Sequence, residues 1–459
     1  MLAHPRYYLR RLRYARPVLY ILRLAESAVQ LPTLPISVAP FLWHYYWLKW
    51  VGAKRIRVPA AADRGRHIVM LVQSNLHVDP RVQREAKALA TAGFRVTVIC
   101  PAWSPDQTAC ERIDWGDGVR FRILPARAGR FVLRFPHLFG RAILRAALAE
   151  DAWAYHAHDL DMALMALLAA ARKQAACVCD WHEWYSENVS YDPWTGQYRP
   201  HHFFKRRIYQ MMERCAVHSA TAVVTVCQSI ADGLATRYQS PKPIGIVRNI
   251  PEMEQVVASA SPQNLRKRLG IAPGQRIFMY QGGLGPSRNL EPVIQAMRYV
   301  RGAALVIRGP GYEDYGEIYL ELAKSLKVAD RVFCLPPVPS TRVVVEARAA
   351  DAGIWTLLAN VGLNFKLALP NKVFEYIAAG VPLLVANLPE VRRLVDEFEI
   401  GLCFEPDDPR SIAACMNRFI ADPGLLERCR ANMHRAQQEL SGGKEWQKLV
   451  ELYRTLGER

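Results

Sequence analysis

The chain has 459 residues, an apolar fraction of 51% and a formal net charge of +18. A chain of this length can bury at least two hydrophobic cores, and its composition, without low-complexity tracts or internal repeats, excludes a fibrous or repeat architecture. The excess of positive charge indicates an anionic partner, and nucleic acid, anionic lipid and sugar nucleotides all fit that description.

The ten cysteines are scattered along the chain. Only Cys177 and Cys179 lie close together, and the single residue between them matches no common zinc or redox spacing. Several others, such as Cys100 and Cys227, follow apolar runs, so we expect buried, reduced thiols and a cytosolic protein. The N-terminus is rich in arginine, but its short apolar run over residues 18–24 is not a convincing signal peptide.

Residues 1–65 are predicted to form a basic and aromatic N-terminal extension. Residues 31–51 are apolar over a length that could span a bilayer, but three prolines and Lys49 interrupt them. Trp43, Trp47 and Trp50 are of the type favoured at lipid headgroups. We therefore expect a segment that lies on an anionic membrane surface. The alternative is that these rings pack on the protein's own surface or in an oligomer contact.

A first α/β domain is predicted over residues 66–250. A strand at 67–72, a polar loop, a helix at 82–92 and a strand at 93–99 form a βαβ unit. The loop lacks a GxGxxG motif, so dinucleotide binding is not indicated here.

Polar pairs follow two further predicted strands of this domain. His158 and Asp159 end the strand that starts at residue 154, and His182 and Glu183 follow the strand over residues 176–180. Ligands of open parallel sheets bind at the carboxyl ends of strands, so these side chains are candidate site residues. The alternative is that they cap helices or bond to the backbone.

A polar linker over residues 251–275 precedes a second α/β domain, predicted over residues 276–430. Its first strand leads into a glycine-rich loop that contains Gly283 and Arg288, and a second strand ends at Arg308 and Gly309. Glycines allow the backbone to approach a phosphate closely, and the following helix aims its N-terminus at the loop. Arg288 could balance the charge of a departing diphosphate.

A helix that ends at Gly380 is predicted to lie at the centre of this domain, followed by Pro382 and a short buried strand. Asn371, Lys372 and Glu375 lie at or near its start, where free N–H groups and the helix dipole favour an anionic ligand. Glu375 is suitably placed to accept hydrogen bonds from sugar hydroxyls.

The run Glu375-Tyr-Ile-Ala-Ala-Gly380-Val-Pro382 resembles the donor-site helix of family 4 glycosyltransferases, which are retaining enzymes of GT-B architecture. The resemblance covers roughly residues 67–455. It implies an α/β fold with two doubly wound, Rossmann-like domains that face a cleft, and a C-terminal helix over residues 431–459 that crosses back to the first domain.

The resemblance also implies a role for each candidate residue and a reaction without metal or cofactor. The catalytic residues would be His158 and Asp159. The donor-binding residues would be Gly283, Arg288, Arg308, Gly309, Asn371, Lys372 and Glu375. The acceptor-side residues would be Asp79, Arg81, His182 and Glu183.

Two features bear on this assignment. Family members usually carry a second acid beside the donor sugar, eight positions before the residue that matches Glu375, and here Leu367 occupies that position. Asn364 or Lys366 could cover part of its role. In addition, Asp159-Leu160-Asp161 spells DxD, the metal-binding signature of the other large glycosyltransferase fold, but such a triplet often arises by chance.

The expected function is metal-independent, retaining transfer of a sugar from a nucleotide-diphosphate sugar to a lipid-linked or envelope glycan acceptor. We expect a cytoplasmic protein that is peripheral on the inner face of the membrane. No nucleic-acid motif is recognisable, so nucleic acid is not an expected partner. The alternatives are a sugar-nucleotide epimerase of the same fold and a catalytically weak membrane-bound scaffold. The nucleotide base, the sugar, the acceptor and the oligomeric state stay open.

Overall fold

The structure is a computed structural model, and it describes residues 41–59, 66–73, 79–102, 110–114, 118–124, 136–192, 197–251, 261–358 and 360–458. Most of the predicted N-terminal extension, residues 1–40, lies outside the described residues. The predicted membrane segment is therefore described only from residue 41 onwards.

The first half of the chain forms an eight-stranded sheet and a small hairpin. Its strands are β1 (His67–Leu71), β2 (Arg95–Pro101), β3 (Cys110–Asp114), β4 (Val119–Leu124), β5 (Ala154–His158), β6 (Ala176–Trp181), β7 (Val189–Asp192), β8 (Gln197–Pro200), β9 (Ala222–Thr225) and β10 (Gly245–Ile246). The order in the sheet is β10-β9-β6-β5-β1-β2-β4-β3, parallel except for β3, while β7 and β8 pair separately. Strands such as β1 and β5 are buried along their whole length, as in a sheet that is covered on both faces.

Helices cover the faces of this sheet. They are α1 (residues 41–50), α2 (Pro80–Thr91), α3 (Pro136–Ala149), α4 (Asp159–Lys173), α5 (Phe203–Ser219) and α6 (Gln228–Tyr238). Eleven residues of α4 are buried, because this helix is packed against β5, β6, α3 and α5.

The second half forms a six-stranded parallel sheet. Its strands are β11 (Arg276–Gln281), β12 (Ala303–Arg308), β13 (Val332–Leu335), β14 (Ala352–Trp355), β15 (Leu383–Ala386) and β16 (Gly401–Phe404), in the order β13-β12-β11-β14-β15-β16. Its helices are α7 (Leu265–Leu269), α8 (Glu291–Ala296), α9 (Tyr312–Ser325), α10 (Val343–Ala347), α11 (Leu363–Lys366), α12 (Asn371–Ala379), α13 (Pro389–Phe398), α14 (Pro409–Ala421), α15 (Pro423–Glu439) and α16 (Gly442–Glu458).

The side chain of Tyr376 hydrogen-bonds the helix α12 to the second sheet. The hydroxyl of Tyr376 donates to the carbonyl of Met279 and accepts from the N–H of Gln281, both at 2.8 Å. Gly353 lies beneath the ring, where a Cβ atom would approach the ring carbons to 2.4 Å. The helix ends at Gly380, which takes the left-handed conformation with φ +70°, as predicted from the sequence.

The C-terminal helix α16 packs on the first domain, although it follows the second in sequence. Tyr453 lies fully buried against Phe94 and Trp153, and Trp446 is buried in the same core. The predicted boundary between the second domain and the crossing helix, at residue 430, falls inside α15, a helix that packs on α12 of the second domain. The helix that packs on the first domain begins at Gly442.

The helix α1 divides the aromatic residues of the predicted membrane segment between two surroundings. Tyr45 and Leu48 are buried in the core of the first domain, and Trp47 packs against it. Trp43 and Trp50 are exposed. The alternative to membrane contact, that these rings pack on the protein itself, therefore holds for the side of α1 with Tyr45 and Trp47. It does not hold for the side with Trp43 and Trp50.

The two doubly wound parallel sheets confirm the predicted fold class. Within the part of the chain that the structure describes, no helix combines the length and the apolar character that a bilayer crossing requires.

The hydroxyl of Tyr376 provides a test of this architecture. Tyr376→Phe leaves the buried N–H of Gln281 without its acceptor, so the free energy of unfolding should fall by about 1–3 kcal/mol in urea denaturation. Tyr299→Phe, which alters an exposed tyrosine of the same domain, is the matched control. Equal unfolding midpoints for the two variants would contradict this role of the hydroxyl.

Candidate active site

The candidate site is a cavity of about 480 Å³ between the two sheets. It lies at the carboxyl ends of the strands, where ligands of open parallel sheets bind. Both domains contribute to its walls, through Asp79, Pro80, Arg81, His182, Glu183, Val226, Ile230 and Asn249 from the first and Arg288, Trp355, Leu357, Asn364, Phe365, Ala368, Leu369, Pro370, Asn371 and Lys372 from the second.

The start of α12 forms part of the second-domain wall. Pro370 precedes the helix in an extended conformation and supplies no side-chain cap, so the first-turn N–H groups have no capping side chain. Asn371 is the first helical residue and is exposed. Free N–H groups at the start of a nine-residue helix favour an anion in the cavity.

Two cations lie beside this helix start. Burial lowers the pKa of Lys372, and the neighbouring charge of Arg288 lowers it further. Burial also raises the pKa of Glu375, although Lys372 and Arg84 oppose that rise. Positive charges that are crowded and partly desolvated in this way make an anionic ligand favourable here.

The glycine-rich loops of the second domain allow Lys372 this position. A Cβ atom on Gly282 would lie 1.5 Å from Cε of Lys372, so the lysine side chain fills the space that a side chain would need. Gly309 has φ +153°, and a Cβ atom there would lie 1.8 Å from the carbonyl oxygen of Gly282. Gly283 follows Gly282 in the same loop. A Cβ atom on Gly283 would lie 3.9 Å from Nη2 of Arg288.

Arg308 lies apart from the cavity wall. It is 1% exposed and its Nη1 is 3.5 Å from Oε2 of Glu346, which also pairs with Arg342. The structure therefore surrounds Arg308 with protein, behind the glycine loops, instead of presenting it to a donor.

On the first-domain wall, Arg81 and Asp180 form a buried ion pair. Nε and Nη2 of Arg81 donate to the two carboxylate oxygens of Asp180 at 2.9 and 2.7 Å, and Nη1 donates to the carbonyl of Val247 at 2.9 Å. Burial would raise the pKa of Asp180, but Arg81 and His182 outweigh burial and hold it well below its usual range. Asp180 is therefore a buried, fixed negative charge.

His182 is held between two carboxylates. Its Nε2 is 3.1 Å from Oδ2 of Asp180, and its Nδ1 is 3.3 Å from Oδ1 of Asp159, which also accepts from the His182 backbone N–H. Burial would lower the pKa of His182, but the charges of Asp159 and Asp180 raise it to about 9. His182 thus presents a positive charge to the cavity at neutral pH.

His158 lies behind His182, at the end of β5. It is 2% exposed, its Nδ1 is 3.6 Å from Oδ2 of Asp180, and its ring centroid is 5.8 Å from that of His182. Within the described residues, its Nε2 has no hydrogen-bond partner. Asp159, the next residue, has φ +64°, a conformation that costs energy for a residue other than glycine.

The remaining predicted acceptor-side residues have different surroundings. Asp79 caps α2, with its carboxylate accepting from the N–H of Val82 at 3.4 Å. Glu183 is exposed to the cavity and accepts a hydrogen bond from Asn188; partial desolvation and the charge of Asp159 raise its pKa. Asp79 thus caps a helix and lines the cavity, and Glu183 is exposed on the same wall.

The position of the missing family acid is turned away from the cavity. Leu367 packs against the core of the first domain, and its carbonyl accepts from the Sγ–H of Cys227 at 3.5 Å. Lys366 is exposed and does not line this cavity. Asn364 lines it, but its side-chain oxygen already accepts from the Trp184 N–H at 2.8 Å. Neither residue takes over the role of a free carboxylate at this wall.

A group of four buried residues has a composition that suits a metal ion. Glu85, His156, His158 and Asp180 bring ligand atoms within 4.8 Å of one another. The guanidinium of Arg81 already meets both carboxylates, with its Nε 2.8 Å from Oε1 of Glu85. A metal ion would have to bind beside this fixed positive charge. We therefore interpret Glu85 and Asp180 as the ion-pair partners of Arg81 and not as metal ligands.

Sequence reasoning missed several members of this buried group. Asp180, His156 and Tyr453 received no site role, yet Nδ1 of His156 is 2.9 Å from the hydroxyl of Tyr453 and its ring is 4.4 Å from that of His158. Asp180 had a signal, because it ends a predicted strand two residues before His182. Tyr453 had none, since it is 297 residues from His156.

Two family models match the chain. The "Glycosyl transferase 4-like domain" matches residues 78–249, and "Glycosyl transferases group 1" matches residues 261–436. The chain is a family 4 glycosyltransferase of GT-B architecture. The matched residues include both walls of the cavity, from Asp79 to Lys372.

Solved structures share the fold of this glycosyltransferase. A sucrose-phosphate synthase from Thermosynechococcus elongatus aligns with a TM-score of 0.66 at 17% identity, over 85% of this chain and 99% of that one. HepE of Anabaena, solved in complex with UDP-glucose, aligns with a TM-score of 0.62 at 15% identity, over 85% and 99% of the two chains.

Two curated relatives match a smaller part of the glycosyltransferase. A D-inositol 3-phosphate glycosyltransferase of Nocardia farcinica is 28% identical over 172 residues, which are 36% of this chain and 37% of the relative. An uncharacterised glycosyltransferase of Methanocaldococcus jannaschii is 25% identical over 224 residues, 47% and 55% of the two chains. These alignments therefore span between about a third and about half of the relatives' length.

The charge of His182 makes the stability of this site depend on pH. Because its pKa is raised from 6.5 to about 9, its contribution is fully present below pH 6.5 and is lost as the pH rises through 9. The unfolding free energy of the wild type should therefore fall, relative to that of His182→Gln, by up to about 3 kcal/mol across this interval.

Urea denaturation at a series of pH values measures this difference. His434→Gln changes an exposed histidine of α15 and should leave the wild-type pH profile unaltered. Parallel profiles for the wild type and His182→Gln would show that the two carboxylates do not stabilise the protonated ring.

Proposed function

We propose that this glycosyltransferase moves a sugar from a nucleotide-diphosphate sugar to an acceptor hydroxyl, with retention of the anomeric configuration and without a metal ion. The acceptor would be a lipid-linked or envelope glycan, reached from an anionic membrane surface on the cytoplasmic side. The observation that carries the proposal is the group of Arg288, Lys372 and the uncapped start of α12 on one wall of the cavity.

This group suits the diphosphate of a donor. Two cationic side chains and free N–H groups converge where the glycine loops let a ligand come close to the backbone. In transfer, the bond between the anomeric carbon and the diphosphate oxygen breaks, and a bond to the acceptor oxygen forms. The acceptor proton would pass to the departing diphosphate, whose growing charge Arg288 and Lys372 would stabilise.

The other wall suits the sugar and the acceptor. The protonated His182 and the exposed Glu183 face the cavity, and we assign contacts with sugar hydroxyls to them. His158 would act from behind His182, where its unpartnered Nε2 is available if the side chains rearrange on ligand binding. Glu375 would bind the donor's ribose from the second domain.

A thermal-shift screen identifies the donor. UDP-, GDP-, ADP- and dTDP-sugars, each with a chelator present, should include one that raises the melting temperature, because a ligand that binds only the folded state stabilises it. Glu375→Ala should abolish that shift, and Glu439→Ala, at the end of α15, is the matched control. A shift that appears only with added metal would contradict metal independence, and no shift with any donor would contradict a donor site.

Arg288→Ala tests the stabilisation of the departing diphosphate. We expect kcat to fall by about 10²–10³-fold with the melting temperature unchanged, since one preorganised positive group is lost from the transition state. Arg298→Ala, an exposed arginine of the same domain that lies over Tyr299, should retain wild-type kcat.

NMR analysis of the glycoside formed from the identified donor reports its anomeric configuration. It also distinguishes glycosyl transfer from isomerisation of the nucleotide sugar. An inverted product would contradict retention. Conversion of the donor to another nucleotide sugar without an acceptor would favour the epimerase alternative.

A further inference from the structure

The exposed aromatic side chains of this protein are concentrated in two segments. Within the described residues, the most exposed large hydrophobic side chains are Trp43 (71%), Trp50 (66%), Phe203 (71%) and Phe204 (62%). Exposing four such rings is costly in water, so their grouping indicates a surface that meets a partner.

The two segments are neighbours on the first domain. Tyr45 of α1 is buried in the same core as Cys215 of α5, and the charge of Arg207 acts on its hydroxyl. Arg207 lies one helical turn after Phe203 and Phe204, on the same side of α5. The turn Gly52–Arg55 also contacts α5. We call the surface formed by α1, this turn and the first two turns of α5 the aromatic face.

The surroundings of the aromatic face are positively charged. Residues 41–59, 136–149 and 203–219 together contain ten Lys and Arg and a single acid, Glu213. Glu213 is 1% exposed, and its carboxylate accepts hydrogen bonds from the Ser186 N–H and the Tyr238 hydroxyl. No acid within these three segments is therefore free to offset their positive charge, although Glu187, which lies outside them, pairs with Arg206.

We propose that the aromatic face is a docking surface for an anionic lipid bilayer, with its rings at the headgroup level and its basic side chains on the lipid phosphates. Exposed Trp and Phe with interspersed Lys and Arg are the combination that favours the bilayer interface. This places membrane binding in the folded first domain and adds a second segment, at the start of α5, to the predicted N-terminal one.

The charge distribution favours a bilayer over protein occupants. A second copy of this chain would bring an equally basic face against the first, and like charges would oppose the contact. Residues 1–40 contain six arginines and one acid, so they are also poorly suited to cover the face and better suited to share its anionic partner.

The aromatic face lies close to the cavity, which connects membrane docking with the proposed function. This part of the inference rests on that proposed function. Lys205, within the face, is close enough to Asp161 for the carboxylate to raise the lysine's pKa against the effect of burial. Asp161 lies in the first turn of α4, which begins at Asp159, and Asp159 contacts His182. The face therefore adjoins the first-domain side of the cavity, and docking would hold that side next to a lipid-linked acceptor.

Vesicle co-sedimentation of the full chain tests the inference. Vesicles of phosphatidylcholine with about 30% phosphatidylglycerol should bind the wild type, and binding should weaken with salt and in pure phosphatidylcholine. Both Phe203→Ser/Phe204→Ser and Trp43→Ser/Trp50→Ser should bind at least about tenfold more weakly. Tyr299→Ser removes an exposed, arginine-flanked ring of the second domain and is the matched control.

Three outcomes would overturn the proposal. The first is binding of anionic vesicles by Phe203→Ser/Phe204→Ser that is as strong as that of the wild type. The second is equal loss in Tyr299→Ser, and the third is a concentration-dependent dimer, seen by light scattering without lipid, that both double variants disrupt. The donor-induced melting shift, measured on the same variants, verifies folding and separates the two proposals: it should persist when vesicle binding is lost, and its absence in the wild type would count against the proposed function alone.

Discussion

The buried ion pair between Arg81 and Asp180 connects most of the parts that build the first-domain wall of the cavity. Through it, α2 is joined to the end of β6, and Nη1 of Arg81 ties both to the carbonyl of Val247, near the passage to the second domain. Trp446 of the crossing helix covers the guanidinium at 5.9 Å. Removing one partner of such a buried pair typically costs about 3–5 kcal/mol, because the other charge is left unpaired away from water.

The same pair sets the charge of the residues that face the cavity. Asp180 stays ionised because Arg81 and His182 compensate its charge, and its negative charge in turn favours the protonated form of His182. Positive charge therefore lies on both walls, with His182 on one and Arg288 and Lys372 on the other. A cavity of this kind suits a ligand with several negative charges and many hydroxyls, and the pairing of Asp180 with Arg81 keeps its carboxylate from opposing that ligand.

The segment that carries Leu367 shows how a position in a family pattern can serve a different purpose. In this chain it links the domains: Asn364 accepts from Trp184, Phe365 lies against Tyr198, and Leu367 packs on the first-domain core. An acid at Leu367 would place a charge in apolar surroundings, which is costly. The leucine therefore stabilises the contact between the domains, and the exposed carboxylate of Glu183 lies on the first-domain wall of the cavity.

The sequence by itself determined the features that depend on neighbouring residues. Apolar runs and their punctuation by glycine and proline predicted two α/β domains, and Gly380 ends α12 as predicted. Polar residues at strand ends predicted His182 and Glu183, because the carboxyl ends of parallel strands meet at one edge. The glycine-rich loop predicted Arg288 and the helix start predicted Lys372, and all four residues line the cavity. The same reasoning placed Arg308 in the donor site, where the structure instead buries it against Glu346.

Only the tertiary structure decided which polar residues pair with one another. Arg81 and Asp180 are 99 residues apart, and His156 and Tyr453 are 297 apart, so no local pattern relates them. The two sides of α1 likewise differ only because one of them meets the core of the first domain. Burial and charge compensation arise from contacts between distant segments, and for that reason the protonation of His182 and the exposure of Trp43 follow from the fold and not from the residues beside them.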